Sequence, residues 1–211
     1  MLILIIERRS PYGTHRALHA RHHDWSLVTG SLTPKKGQAF FYKFFQKVQC
    51  DTIISMKKVK KLIVGNWKMN PVEEYKARDI VKQVKRASDK LKRSEVVICP
   101  PYLYVPLFSK AKGKNFKIGS QNAHHELSGS FTGEVSFSQL YQFGIRFVIV
   151  GHSERRKMGE TDEMVNNKVK SVVNSGMTAI ICVGESTRDT NGDYLDLIKN
   201  QIRNALNDVP K

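Results

Sequence analysis

Short apolar runs alternate along the chain with longer segments whose apolar positions recur every three or four residues. Strands are predicted at 62–68, 96–99, 116–123, 147–150 and 178–183. Continuous apolarity over four to eight residues is the pattern of a strand covered on both faces. Between the first two runs, Val72, Tyr75, Ile80, Val84, Ala87 and Leu91 fall at helical steps, which predicts a helix over 72–91. Glu73 and Glu74 stand in its first turn, where negative charge complements the helix dipole. Further helices are predicted at 102–110, 136–143, 161–175 and 194–206. The helix at 161–175 stops at Gly176, a residue suited to a helix C-terminus. The last helix aligns Leu195, Ile198, Ile202 and Leu206 on one stripe. Residues 124–134 read as a polar loop.

Five strand–helix units in succession predict an α/β protein with a parallel sheet. Two architectures fit. A doubly wound sheet of five or six strands would be complete. A closed eight-unit barrel needs about 250 residues and would lack roughly three units. No G-x-G-x-x-G and no P-loop follows any strand, so dinucleotide and Walker-type nucleotide binding have no support.

Charge narrows the partners. The chain carries a formal net charge of +16. Over 72–93 the basic residues are interleaved with acids, as on a solvated helix face. A nucleic-acid surface would need a contiguous basic stripe with exposed aromatics. We therefore expect no nucleic-acid partner, and a surface that draws small anionic substrates. Cys50, Cys99 and Cys182 form no C-x-x-C pair and read as buried small hydrophobes in a reducing compartment. No run approaches the roughly 18 apolar residues of a membrane span.

Residues 1–55 differ from the rest. The apolar run at 1–6 has no basic residue before it and meets Glu7 at once, unlike a secretory signal. With eight Lys/Arg against three Asp/Glu, the segment has the composition of an organellar transit peptide. Met56, followed by Lys57-Lys58-Val59-Lys60-Lys61 and the first strand, reads as a natural start. The expected division is therefore an extension, 1–55, outside the fold, and a domain, 56–211. His15, His19, His22 and His23 lack partnering cysteines and stand where acids are scarce, and no metal site is assigned to them.

The candidate chemistry lies where strands end. Asn66 and Lys68 stand two positions apart after Leu62-Ile63-Val64. On an extended segment they share a side, and a lysine there offers positive charge to a phosphate or a developing oxyanion. His152 follows Phe147-Val148-Ile149-Val150-Gly151. A helix turn starting at Ser153 would set backbone amides beside the imidazole and favour a neutral, hydrogen-bond-donating histidine. Glu154 reads as an acid, a base, or a partner of Lys68 or an arginine. Glu185 reads as a tether for a neighbouring loop.

Five motifs occur in order: 64–70 (VGNWKMN), 121–124 (QNAH), 131–134 (FTGE), 150–156 (VGHSERR) and 182–185 (CVGE). Together they closely resemble the triosephosphate isomerase family, over about residues 61–211. The resemblance implies a (β/α)8 TIM barrel, here incomplete, with strands 1–5 and their helices only. It implies a glycolytic and gluconeogenic isomerase, cytoplasmic and homodimeric, that interconverts glyceraldehyde 3-phosphate and dihydroxyacetone phosphate through an enediolate without metal or organic cofactor. Lys68 would bind substrate and neutralise developing charge, His152 would polarise the carbonyl as electrophile, and Asn66 would place the substrate oxygen and Lys68. Ser153 would line the pocket, and Glu154 would sit beside the lysine. Thr132, Glu134 and Arg155 would shape the dimer interface. Triosephosphate isomerases are themselves the reference case for a histidine held neutral at a helix N-terminus.

The family's base, a glutamate in a Tyr-Glu-Pro-type motif, is not matched here, nor are its lid and its later phosphate-binding glycine turns. Glu126, Glu134, Glu154 and Glu185 do not fit the base's motif. The expectation is a chain inactive and unstable alone, with open edges on its first and fifth strands. A non-catalytic module on the same scaffold and a barrel enzyme for another phosphorylated carbonyl are the competing readings. The combination of Asn66, Lys68 and His152 argues against the latter.

Overall fold

The structure is a computed structural model that describes residues 2–7, by backbone, and 61–111, 113–185 and 192–210. The strands are β1 (Leu2–Glu7), β2 (Lys61–Asn66), β3 (Ser94–Cys99), β4 (Phe116–Ile118), β5 (Phe147–Val150) and β6 (Thr178–Val183). The helices are α1 (Glu74–Asp89), α2 (Val105–Phe108), α3 (Phe137–Gln142), α4 (Ser153–Lys157), α5 (Asp162–Asn174) and α6 (Asp193–Ala205), with a single 3-10 turn at Tyr102–Tyr104. Cys50 and the four histidines of 15–23 lie outside the described residues.

From β2 to β6, sheet order follows chain order. β2, β3 and β4 pair in parallel, as do β5 and β6. The two groups are joined by a parallel bridge between Ser120 and Val148. There the Ser120 N–H donates to Phe147 O at 2.8 Å and the Ile149 N–H to Ser120 O at 2.9 Å. A doubly wound sheet requires a point where strand order reverses. None occurs from β2 to β6, and this singly wound order fits part of a TIM barrel.

The two faces of the sheet differ, as the period of two along a strand requires. One face presents Val96, Ile98, Phe116, Ile118, Val148, Val150, Ala179 and Ile181 to the helices in a large core. The other gathers Val97, Cys99, Ile149, Ile180 and Cys182, with Leu62, Val64 and Phe147 against them. This second cluster joins β2 and β3 to β5 and β6 without any helix, so the sheet curls and packs on itself. Gly119 makes the curl possible. A Cβ there would lie 2.7 Å from Cys99 Sγ, 2.9 Å from Val97 Cγ1 and 3.0 Å from Phe147 O. Cys99 and Cys182 are free and buried. Burial pushes the Cys182 thiol up to about 11 and raises that of Cys99 as well.

Two expectations need correction. The predicted strand 116–123 keeps its ladder only over Phe116–Ile118, because the chain leaves it at the glycine-dependent crossing. On α1 the buried positions are Ala77, Val81 and Ser88, flanked by partly buried Val84 and Leu91. Val72 and Tyr75 of the predicted stripe are exposed. Leu2–Glu7 forms β1. It pairs antiparallel with β6 and covers the edge expected to be open on the fifth strand of the repeat. β2 pairs only with β3 among the described residues, and its Ile63 is half-exposed.

Candidate active site

Asn66, Lys68, His152, Ser153 and Glu154 all sit at the ends of β2 and β5 that point the same way in the parallel sheet. The chain turns sharply after β2. Asn66 Oδ1 accepts the Lys68 backbone N–H at 2.9 Å, and Lys68 adopts the left-handed region with φ 54°. Lys68 is thus not part of an extended segment. The side-chain acceptor two residues back replaces the strand ladder, as in an Asx turn. Gln121 Nε2 holds this turn from below, donating to Lys68 O and to Cys99 O, both at 2.8 Å.

The second half of the site depends on Gly151, whose φ of +70° turns the chain from β5 directly into α4. A Cβ at this position would meet Cys182 O at 3.2 Å and Val165 Cγ1 at 3.3 Å. The helix does begin at Ser153. His152 is its N-cap, buried, and its Nδ1 accepts the Glu154 backbone N–H at 3.2 Å. With Nδ1 engaged as acceptor, Nε2 is the ring nitrogen left to face a ligand oxygen.

Glu154 links the two halves. Its Oε1 receives Lys68 Nζ at 2.6 Å, and its Oε2 lies 3.7 Å from His152 Nδ1. The hydrogen bond from Lys68 is the main reason its carboxyl titrates below the ordinary glutamate range. Both partners are about half exposed, so water screens the pair and it contributes little to stability. Its effect is geometric. The ammonium is held beside the imidazole, and Lys68 keeps two of its three hydrogens for a ligand.

Behind this group lies a buried polar network. Lys168 Nζ bonds Glu160 Oε1 and donates to Asn122 Oδ1 at 2.8 Å. Arg155 Nε donates to the same Glu160 oxygen at 3.3 Å. Arg156 donates from Nε to Gly151 O at 3.0 Å and from Nη1 to Asp162 Oδ1 at 2.5 Å. The short helix α4 is thereby strapped to β5 and α5. Gln121, Asn122, Glu160 and Lys168 received no role from sequence reasoning. The available signal was the amide pair Gln121-Asn122 of the 121–124 motif, which the apolar pattern absorbs into the strand 116–123.

Ser153 is exposed and borders a concavity shared with Gly151, Arg156, Gly184 and Glu185. Thr132 and Glu134 are exposed on the 124–134 loop and make no hydrogen bond or ion pair with Lys68, His152 or Glu154. The loop is anchored by Ser171 Oγ donating to His125 O at 2.7 Å and by the His124 ring 4.2 Å from that of Phe131. No helix among the described residues is long and apolar enough to cross a membrane.

Comparison with known proteins agrees with this arrangement. The family model described as triosephosphate isomerase matches residues 61–211. A triosephosphate isomerase of Alkaliphilus oremlandii is 43% identical over 154 residues, which are 72% of this chain and 61% of that protein. One from Idiomarina loihiensis is 40% identical over 153 residues, 71% of this chain and 60% of its own length. One from Natranaerobius thermophilus is 42% identical over 152 residues, covering 70% and 58%. The chain spans about three-fifths of the length of these curated relatives. With its parallel strands in chain order and its lysine and histidine at matching strand ends, the chain belongs to the triosephosphate isomerase family.

Proposed function

We propose that residues 56–211 supply the electrophilic half of a triosephosphate isomerase site, acting on glyceraldehyde 3-phosphate and dihydroxyacetone phosphate in the cytoplasm, in glycolysis and gluconeogenesis. The observation that carries this reading is the hydrogen bond from Glu154 N to His152 Nδ1, beside the Lys68–Glu154 pair. It leaves Nε2–H as a donor for the substrate carbonyl. When a base removes the proton from the adjacent carbon, charge gathers on that oxygen. The His152 hydrogen bond and the Lys68 ammonium then stabilise the enediolate. Asn66 acts by fixing the turn on which Lys68 stands. The steps assigned to these residues are hydrogen bonding and charge neutralisation, which call on no cofactor.

No Tyr-Glu-Pro segment occurs in these 211 residues, and in this reading the base lies outside them and the 211 residues alone are expected to be inactive. Thr132, Glu134 and Arg155 belong, in this reading, to a homodimer interface. The test is a coupled isomerase assay of the chain alone and mixed with the separately expressed C-terminal part of a relative. Turnover only in the mixture, abolished by His152→Ala, supports the proposal. Turnover by the chain alone would show that another of its carboxylates acts as base.

A further inference from the structure

Asn66, Lys68 and His152 stand where β2 and β5 end, whereas three separate segments meet where β2 and β3 begin. The Lys61 N–H donates to Arg93 O at 2.9 Å, and Asn115 Nδ2 donates to Leu91 O at 2.6 Å. The start of β2, the end of α1 and the turn before β4 are thereby fastened together. Each brings exposed cations. Lys61 comes from the first, Lys114 from the third, and Lys82, Arg86, Lys90, Lys92 and Arg93 from α1 and the turn after it. The acids within 82–95 already have partners. Asp89 holds Lys85 at 3.0 Å, and Glu95 faces Lys117 at 3.9 Å. None of the exposed cations just named is in an ion pair among the described residues.

Like charges gathered without counter-charge repel and lower stability. Arg86 and Lys90 complement the negative C-terminal end of α1, but Lys61, Lys92, Arg93 and Lys114 have no such role. Among the described residues of 82–95 and 113–117, no large apolar side chain is exposed. The patch therefore offers no ring on which a nucleic-acid base could stack and no group to sink into a bilayer. We propose that it is a docking surface for an acidic, extended segment of a partner polypeptide. Lys82, Arg86 and Lys90 recur every four residues on one face of α1, about 6 Å apart along its axis. Alternate side chains of an extended strand lie about 6.6–6.8 Å apart, so acids at every second position match the row. The surface is at the opposite end of β2 from Asn66 and Lys68, and it can be occupied while the candidate site is free.

Fluorescence anisotropy on the full chain tests this, with a labelled peptide of alternating glutamate and serine as probe. Lys90→Gln/Lys92→Gln/Arg93→Gln should weaken binding about tenfold, as the loss of three exposed ion pairs would, and added salt should weaken it in the parent. Lys76→Gln/Arg78→Gln/Arg203→Gln removes the same charge elsewhere and should change binding less than about twofold. Equal losses in the two variants would show attraction to net charge alone and overturn the proposal, as would no binding by the parent. Tighter binding of duplex DNA, or of phosphatidylserine vesicles, at the same salt would give the surface to another class of partner and overturn it too.

Chemical mapping needs no variant. Carbodiimide joins a carboxylate to an amine in contact with it, so links from the bound peptide should concentrate on Lys61, Lys90, Lys92 and Lys114 of the parent chain. Links formed as readily to Lys76 and Lys157, both exposed, overturn the docking surface.

Discussion

Asn66 Oδ1 accepts the backbone N–H of Lys68, two residues on, and Lys68 takes a left-handed conformation that L-residues rarely hold. That conformation costs about 1–2 kcal/mol for a residue with a Cβ, and the Asn66 side chain offsets part of it. Asn66→Ala should lower stability by about 1 kcal/mol, the usual size of one such local bond, and loosen Lys68. Asn66→Asp keeps the acceptor and should retain most of both. Urea melts of the three proteins decide this, and equal midpoints for all three would exclude the role given to the amide.

The Glu154 carboxyl titrates below the ordinary glutamate range because Lys68 bonds its charged form. A depressed carboxylate contributes stability above its unfolded pKa and loses it as pH falls through the folded value. The carboxyl resonance of Glu154, followed by NMR, should therefore have its acid midpoint below that of a free glutamate. Lys68→Ala should move it back up, and added salt should move it in the same direction. A midpoint indifferent to Lys68 would mean that the pair is not formed in solution.

Gly119→Ala inserts a methyl group against Cys99 Sγ, Val97 Cγ1 and Phe147 O. Overpacking of this kind costs about 1–3 kcal/mol. Adding Cys99→Ala removes the nearest of the three obstacles, so the double variant should be more stable than the sum of the two single losses predicts. Additive losses in a thermal-melt cycle would show that the backbone, not the thiol, sets the limit.

Lys168 is 2% exposed and shares Glu160 with Arg155. Lys168→Met leaves a buried carboxylate with one longer partner, and breaking a buried pair costs about 3–5 kcal/mol. Lys168→Met/Glu160→Gln removes both charges and should recover part of that loss. A single variant as stable as the parent would rule out the buried pairing.

Sequence pattern located the elements better than their faces. The strands at 147–150 and 178–183 form as predicted, since each is a short apolar run with both faces covered. The buried stripe of α1 was misread because it passes through Ala77 and Ser88. A methyl group and a hydroxyl give little hydropathy signal, while the exposed Tyr75 gives a strong one. Within the candidate site, Asn66, Lys68, His152 and Glu154 were legible because motifs cluster at strand ends. Gln121, Asn122, Glu160 and Lys168 were not, because buried polar partners are defined by a contact across the fold. β1 escaped for the same reason. A strand's partner lies outside any local window.

Strand order also bears on how the chain assembles. From β2 to β6 each strand's neighbour is the next strand in sequence, so every pairing closes a loop of one repeat, and the sheet can extend unit by unit. β1 is the exception. Its partner lies at the far end of the chain, and the entropy of closing so long a loop delays its pairing until β6 is in place. Refolding followed by pulsed hydrogen exchange would therefore see the β2–β3 amides protected early and those between β1 and β6 last, so that the first and last described strands meet only at the close of folding.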